Sequence, residues 1–138
     1  MHRQFAIRSN VTAVTELAAK LRVACADFGL DEDAASDLEL AVVEAATNII
    51  VHGYGGADGG TLEVGVRRDA GEVQVELTDA GAPIPPGALE NAELPDFDDD
   101  VSAIPTSGRG LALIKASVDA WRYLPSAGRN RLILIKRG

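Results

Sequence analysis

Three short stretches of this 138-residue chain carry side chains that could do chemistry. The first is "ELAVVEAATNIIVHGYGG", Glu39 to Gly56. Glu44, Asn48 and His52 recur there at every fourth residue, and Asp37 lies two turns earlier on roughly the same side. Residues at i, i+4 and i+8 of a helix share one side. Apolar residues flank this set, so the stripe faces neither plain core nor plain solvent. A carboxylate there can act as a general base. An asparagine oxygen can ligate Mg²⁺, a cation that takes few protein ligands and completes its shell with phosphate oxygens and water. His52 precedes Gly53 and can equally cap the last carbonyls of the helix.

The second stretch is "LTDAGAPI", Leu77 to Ile84. A strand ends there in Asp79, whose carboxylate can accept from a donor such as the exocyclic amine of adenine. Gly81 lets the backbone approach something closely. The third is "TSGRGLALI", Thr106 to Ile114. Ser107 can cap a helix that Gly108, Arg109 and Gly110 open. Free N–H groups and the helix dipole suit phosphate, and Arg109 adds a charge-assisted donor. The stretch lacks the glycine spacing and Lys-Ser/Thr pair of a P-loop, and no early strand–turn–helix unit makes it a dinucleotide fingerprint. Each stretch taken alone also fits an ordinary role: a polar helix face, a strand-end turn, a capped helix start.

The elements that position them follow from periodicity and punctuation. "RQFAIRS" alternates and predicts a short strand. Asn10 or Thr12 caps a helix running to about Phe28, with Leu17, Leu21 and Ala24 inward and Gly29 ending it. Asp31 caps a longer helix that contains the Glu44 stripe and stops at Gly53. "TLEVGVRR" and "EVQVELTD" predict strands joined by the hairpin turn "DAG". The Pro-, Gly- and Asp-rich segment from Ala80 to Gly108 predicts a long loop with at most one helical turn, and a loop of that length in a compact domain is usually functional. "RGLALIKASVDA" predicts a helix, and "WRYLP" and "RLILIKR" predict strands flanking the turn "SAGRN". With no repeat and no linker, residues 1–138 read as one α/β (α+β) two-layer sandwich: helices on one face of a mixed, mostly antiparallel sheet.

Composition narrows the function classes. Hydrophobic residues make up 46% of the chain, which excludes a disordered protein. No apolar run approaches the roughly 20 residues of a membrane span, and the first ten residues hold no signal-peptide core. The net charge of −8 argues against nucleic acid or an anionic membrane as the main partner. Cys25 is the only cysteine, which excludes an internal disulfide and reads as a buried thiol. These features point to the cytoplasm.

The order and separation of the three stretches resemble the GHKL (Bergerat-type) ATPases over nearly the full chain. "EAATNIIVHGY", "DAGAPI" and "GRGLALIKASVD" are most similar to segments of the bacterial anti-sigma-factor serine/threonine kinases. The resemblance implies ATP and Mg²⁺ as ligands. Glu44 would activate the attacking hydroxyl or water, Asn48 would hold the metal, and Asp79 would read adenine. Gly81 and Ile84 would lie along the base. Ser107, Gly108, Arg109, Gly110 and Leu111 would form the phosphate end of a flexible ATP lid spanning about residues 85–107. It also implies a sigma factor and a STAS-domain anti-sigma-factor antagonist as partners, and a homodimer formed through the first strand and helix. Two departures stand out. Pro83 replaces the second glycine of the commoner D-x-G-x-G box. Asn130 stands where a threonine often contacts adenine, which puts that contact in doubt. An ATP-gated binding module without transferase activity fits the same motifs. A histidine-kinase catalytic domain fits poorly, because His2 and His52 are the only histidines and neither lies on a dimerisation helix.

Overall fold

The computed structural model describes residues 1–93 and 106–138, with residues 106–108 described by backbone alone. Strand β1 (His2–Arg8) leads into helix α1 (Val11–Asp27) and helix α2 (Glu32–Asn48). Asn10 and Asp31 are the N-caps, and their side chains accept from Ala13 N at 2.8 Å and Ala34 N at 3.4 Å. Gly29, at φ +73°, ends α1. Strands β2 (Thr61–Asp69) and β3 (Glu72–Asp79) form the expected hairpin, with Ala70 and Gly71 both at positive φ in its two-residue turn. One helical turn, α3 (Ala88–Asn91), interrupts the long loop, and α4 (Thr106–Ser117) follows the undescribed residues. Strands β4 (Ala120–Ser126) and β5 (Arg129–Arg137) close the chain.

The sheet has the order β1-β2-β3-β5-β4, and every pairing in it is antiparallel. The expectation of a mixed sheet is thereby corrected. Strands β3 and β4 do run the same way, but β5 lies between them and pairs antiparallel with both. Its helices cover one face only. Leu62, Val64, Val75, Leu77, Leu132 and Leu134 point from the sheet onto Leu17 and Leu21 of α1 and Leu38 and Val42 of α2, all almost fully buried. Cys25 lies in this core, and burial pushes its thiol up to about 11, so it is an inert apolar filler.

Several boundaries differ from the sequence reading, and some of them shape the site. The second helix does not run unchanged to Gly53. It opens into a π-helical turn over Ile49–Gly53, in which Tyr54 N bonds to Ile49 O at 2.9 Å. The β4–β5 turn is only Ala127–Gly128, with Gly128 at φ +75°, so Asn130 lies inside β5 and directly opposite Asp79. Helix α4 stops at Ser117 instead of Ala120, because Asp119 already pairs with β5 through Ile135 O at 2.9 Å.

Candidate active site

Where α2 ends over the sheet, a cavity of about 170 Å³ opens between the π-helical turn, the turn after β3 and helix α4. Asn48, Asp79, Ile84 and Leu111 all line it, together with His52. Residues from three separate stretches of sequence therefore share one wall. The Asn48 amide makes no hydrogen bond among the described residues, so it is available to a ligand. Glu44 stands one helical turn before Asn48 and is half-buried, with its Oε2 3.2 Å from where a Cβ on Gly110 would fall. Gly110 thus lets α4 lie against the carboxylate, which a side chain would push aside.

Arg109 is half-buried beside Gly110. Ser107 and Gly108 fall in the first turn of α4, since that helix already starts at Thr106. Ser107 is therefore inside the helix and not its cap, and its side chain lies outside the described residues. Asp37 is not part of the site, because it pairs with Lys136 at 3.2 Å. Of the proposed lid, only residues up to 93 and from 106 are described, and the rest of that expectation lies outside them. The near end is anchored: Leu89 is buried, and Lys115 Nζ donates to Glu90 O at 2.8 Å and Ala92 O at 2.9 Å.

The turn from Ala80 to Ile84 is held at every backbone N–H. Ala80 N donates to the Tyr54 hydroxyl at 2.8 Å, Gly81 N to Asp79 Oδ1 at 2.9 Å and Ala82 N to Gly53 O at 2.7 Å. Pro83 has no N–H, and Ile84 N donates to the Tyr123 hydroxyl at 2.8 Å. Such complete pairing fixes the loop backbone. It also explains Gly81, since a Cβ there would lie 2.5 Å from Gly53 O and 2.6 Å from Gly53 C. The close approach that the glycine permits is to the π-helical turn of the protein itself.

Asn130 supports this turn from behind. Its Nδ2 donates to Asp79 Oδ1 at 3.1 Å and to Gly81 O at 2.9 Å, and it does not line the cavity. Two acceptors on one side fix the amide orientation, because the flipped group would set oxygen against oxygen. Burial raises the Asp79 carboxyl above the usual range, while the bonds from Asn130 and Gly81 N–H oppose the rise. Both bonds fall on Oδ1. Among the described residues nothing bonds to Oδ2, which leaves one open acceptor on a residue that lines the cavity.

The sequence reading missed Tyr54 and Tyr123 as parts of the site. They are the only tyrosines in the chain, and both hydroxyls serve this one turn. The sole signal for Tyr54 was its place in the H-G-Y end of the helix. It also donates to Thr61 O at 2.8 Å and lies over Gly60, where a Cβ would come within 2.6 Å of its ring.

The chain belongs to the histidine kinase-like ATPase family, whose description matches residues 7–136. Among characterised relatives it is 30% identical to the anti-sigma F factor of Geobacillus kaustophilus over 99% of this chain and 90% of that one. It is 37% identical to the anti-sigma F factor of Clostridium botulinum over 59% of this chain, a match that spans about half (55%) of that relative's length. A solved structure of the RsbU and RsbW domains of a Mycobacterium tuberculosis protein superposes with a TM-score of 0.71 at 22% identity, covering 99% of this chain and 32% of that one. That likeness shows the fold.

Proposed function

We propose that this protein binds ATP with Mg²⁺ in the cavity, sequesters a sigma factor, and phosphorylates a serine or threonine of a STAS-domain antagonist of that sequestration. The observation that carries the reading is the meeting of Asn48, Asp79 and Leu111 on one cavity wall, with Glu44 one turn beyond and against Gly110. The kinship with anti-sigma F factors supports the choice of partners.

The donor set fits a hard cation carried in by phosphates. Among the described residues no cluster of three carboxylates, histidines or cysteines could hold a metal alone, and one asparagine oxygen suffices when phosphate and water complete the shell. When bound, Mg²⁺ would supply charge neutralisation on the phosphates. The protein's own groups do the rest. Asp79 Oδ2 accepts from the adenine amine and fixes the base. The N-terminal turn of α4, with Gly110 close to Glu44, would offer its backbone N–H groups to the phosphates. Glu44 accepts the proton of the incoming hydroxyl as its oxygen bonds to the terminal phosphorus and ADP leaves.

Among the described residues no helix is long and apolar enough to cross a membrane. Strand β1 is a sheet edge, and the groove it forms with α1, lined by Phe5, Ala19 and Val23, suits the proposed homodimer. The test is incubation with γ-labelled ATP and candidate STAS-domain proteins, followed by mapping of the label. Label on a serine or threonine supports the kinase. ATP-dependent partner affinity without label would instead establish a nucleotide-gated module.

A further inference from the structure

Tyr123 lies on β4, packed against the core, and lines the cavity. The phenol oxygen already accepts from Ile84 N at 2.8 Å. A hydroxyl that accepts still has one proton to donate, and no acceptor among the described residues takes it. Asp79 lines the same cavity with Oδ2 equally unengaged. Two residues that line the hollow therefore carry one open acceptor and one open donor, and their other contacts are fixed.

That pair has a chemical complement. Adenine presents an amine donor flanked by ring-nitrogen acceptors, N1 on one side and N7 on the other. Guanine and hypoxanthine replace the amine with a carbonyl and protonate N1. We propose that Tyr123 is a second base-reading residue, its hydroxyl donating to a ring nitrogen beside the adenine amine while Asp79 accepts from the amine. The assignment rests on the nucleotide reading of this site and adds a specificity contact to it. Burial pushes the Tyr123 phenol above its usual range, the Ile84 N–H bond opposes the rise, and the neighbouring Asp79 charge adds a little to it. The proton therefore stays on the oxygen at neutral pH.

The test is calorimetric titration of ATP, 1-deaza-ATP and 7-deaza-ATP, each with Mg²⁺, into the wild type and Tyr123→Phe. The wild type should bind one of the two deaza analogues more weakly than ATP, by at least about fivefold, the scale of one net hydrogen bond. Tyr123→Phe should lose a similar factor for ATP and show no preference for ATP over that analogue. A purely structural tyrosine would weaken all three ligands alike and leave the preference intact, and that result overturns the assignment. So does a wild type that binds ATP and both analogues equally, a comparison that needs no variant to fold. A wild type that binds no ATP removes the nucleotide reading and this contact with it.

Discussion

Asn130→Ala probes the framework behind Asp79. The substitution deletes a donor shared between the Asp79 carboxylate and Gly81 O. A bond to a charged acceptor contributes about 1.5–3 kcal/mol and one to a neutral carbonyl about 0.5–1.5 kcal/mol. The substitution also removes the Asn130 Oδ1, buried without a partner among the described residues, which offsets part of this, so a loss of about 2–3 kcal/mol is expected. The pH dependence sharpens the test. A carboxyl whose value is raised on folding leaves the native state most stable below its unfolded value of about 3.9, and that advantage is lost as pH rises through the folded value. Asn130 opposes the rise at Asp79, so removing it raises the folded value further. The stability deficit of the variant should therefore widen from acid towards neutral pH and then level off. Urea melts of wild type and variant between about pH 4 and pH 8 measure it. In an Asp79→Asn background the same Asn130 substitution should show a deficit that no longer varies with pH. A deficit that is absent, or flat with pH in the wild-type background, refutes the account of Asn130 as the donor that holds the Asp79 charge.

Three further outcomes are expected. Asn48→Ala should abolish the gain in ATP affinity that Mg²⁺ gives, as read by calorimetry with and without the cation; an unchanged gain removes Asn48 from the metal. Glu44→Ala should bind ATP as well as or better than the wild type, because the carboxylate repels the triphosphate, while phosphoryl transfer to a STAS-domain partner falls by about 10²–10⁴; equal transfer rates would show that Glu44 is not the base. Ala70→Asn should raise the melting temperature by about 2–4 °C, since a non-glycine residue at φ +50° is strained and asparagine tolerates that region best; an unchanged or lower melting point would count against strain in the hairpin turn.

The fold was legible where local signals agreed. Asn10 and Asp31 announced helix starts, Gly29 a helix stop, and alternation in "TLEVGVRR" and "EVQVELTD" a half-buried hairpin, because caps, left-handed glycines and period-two patterning are local physics. The positions of Asn48, Asp79 and Leu111 on one cavity were legible only through their order along the chain, since no local rule states that the three segments meet. What escaped depends on contacts remote in sequence. The reading of "SAGRN" as the turn missed that Gly128 permits a two-residue hairpin, and a shift of that size carried Asn130 from a loop into β5 opposite Asp79. The π-helical turn is recorded in no helical period. It brings Gly53 O to Ala82 N, and it leads into Tyr54, whose hydroxyl meets Ala80 N from 26 residues away. Tyr123 meets Ile84 N from 39 residues away in the opposite direction. A strand-end D-x-G is commonplace, because nothing in those residues says what holds them. Here the holding groups are two tyrosines, an asparagine and a helix end from three other elements. It is their joint grip that leaves Asp79 Oδ2 as a fixed acceptor, which is what the proposed base-reading role asks of this turn.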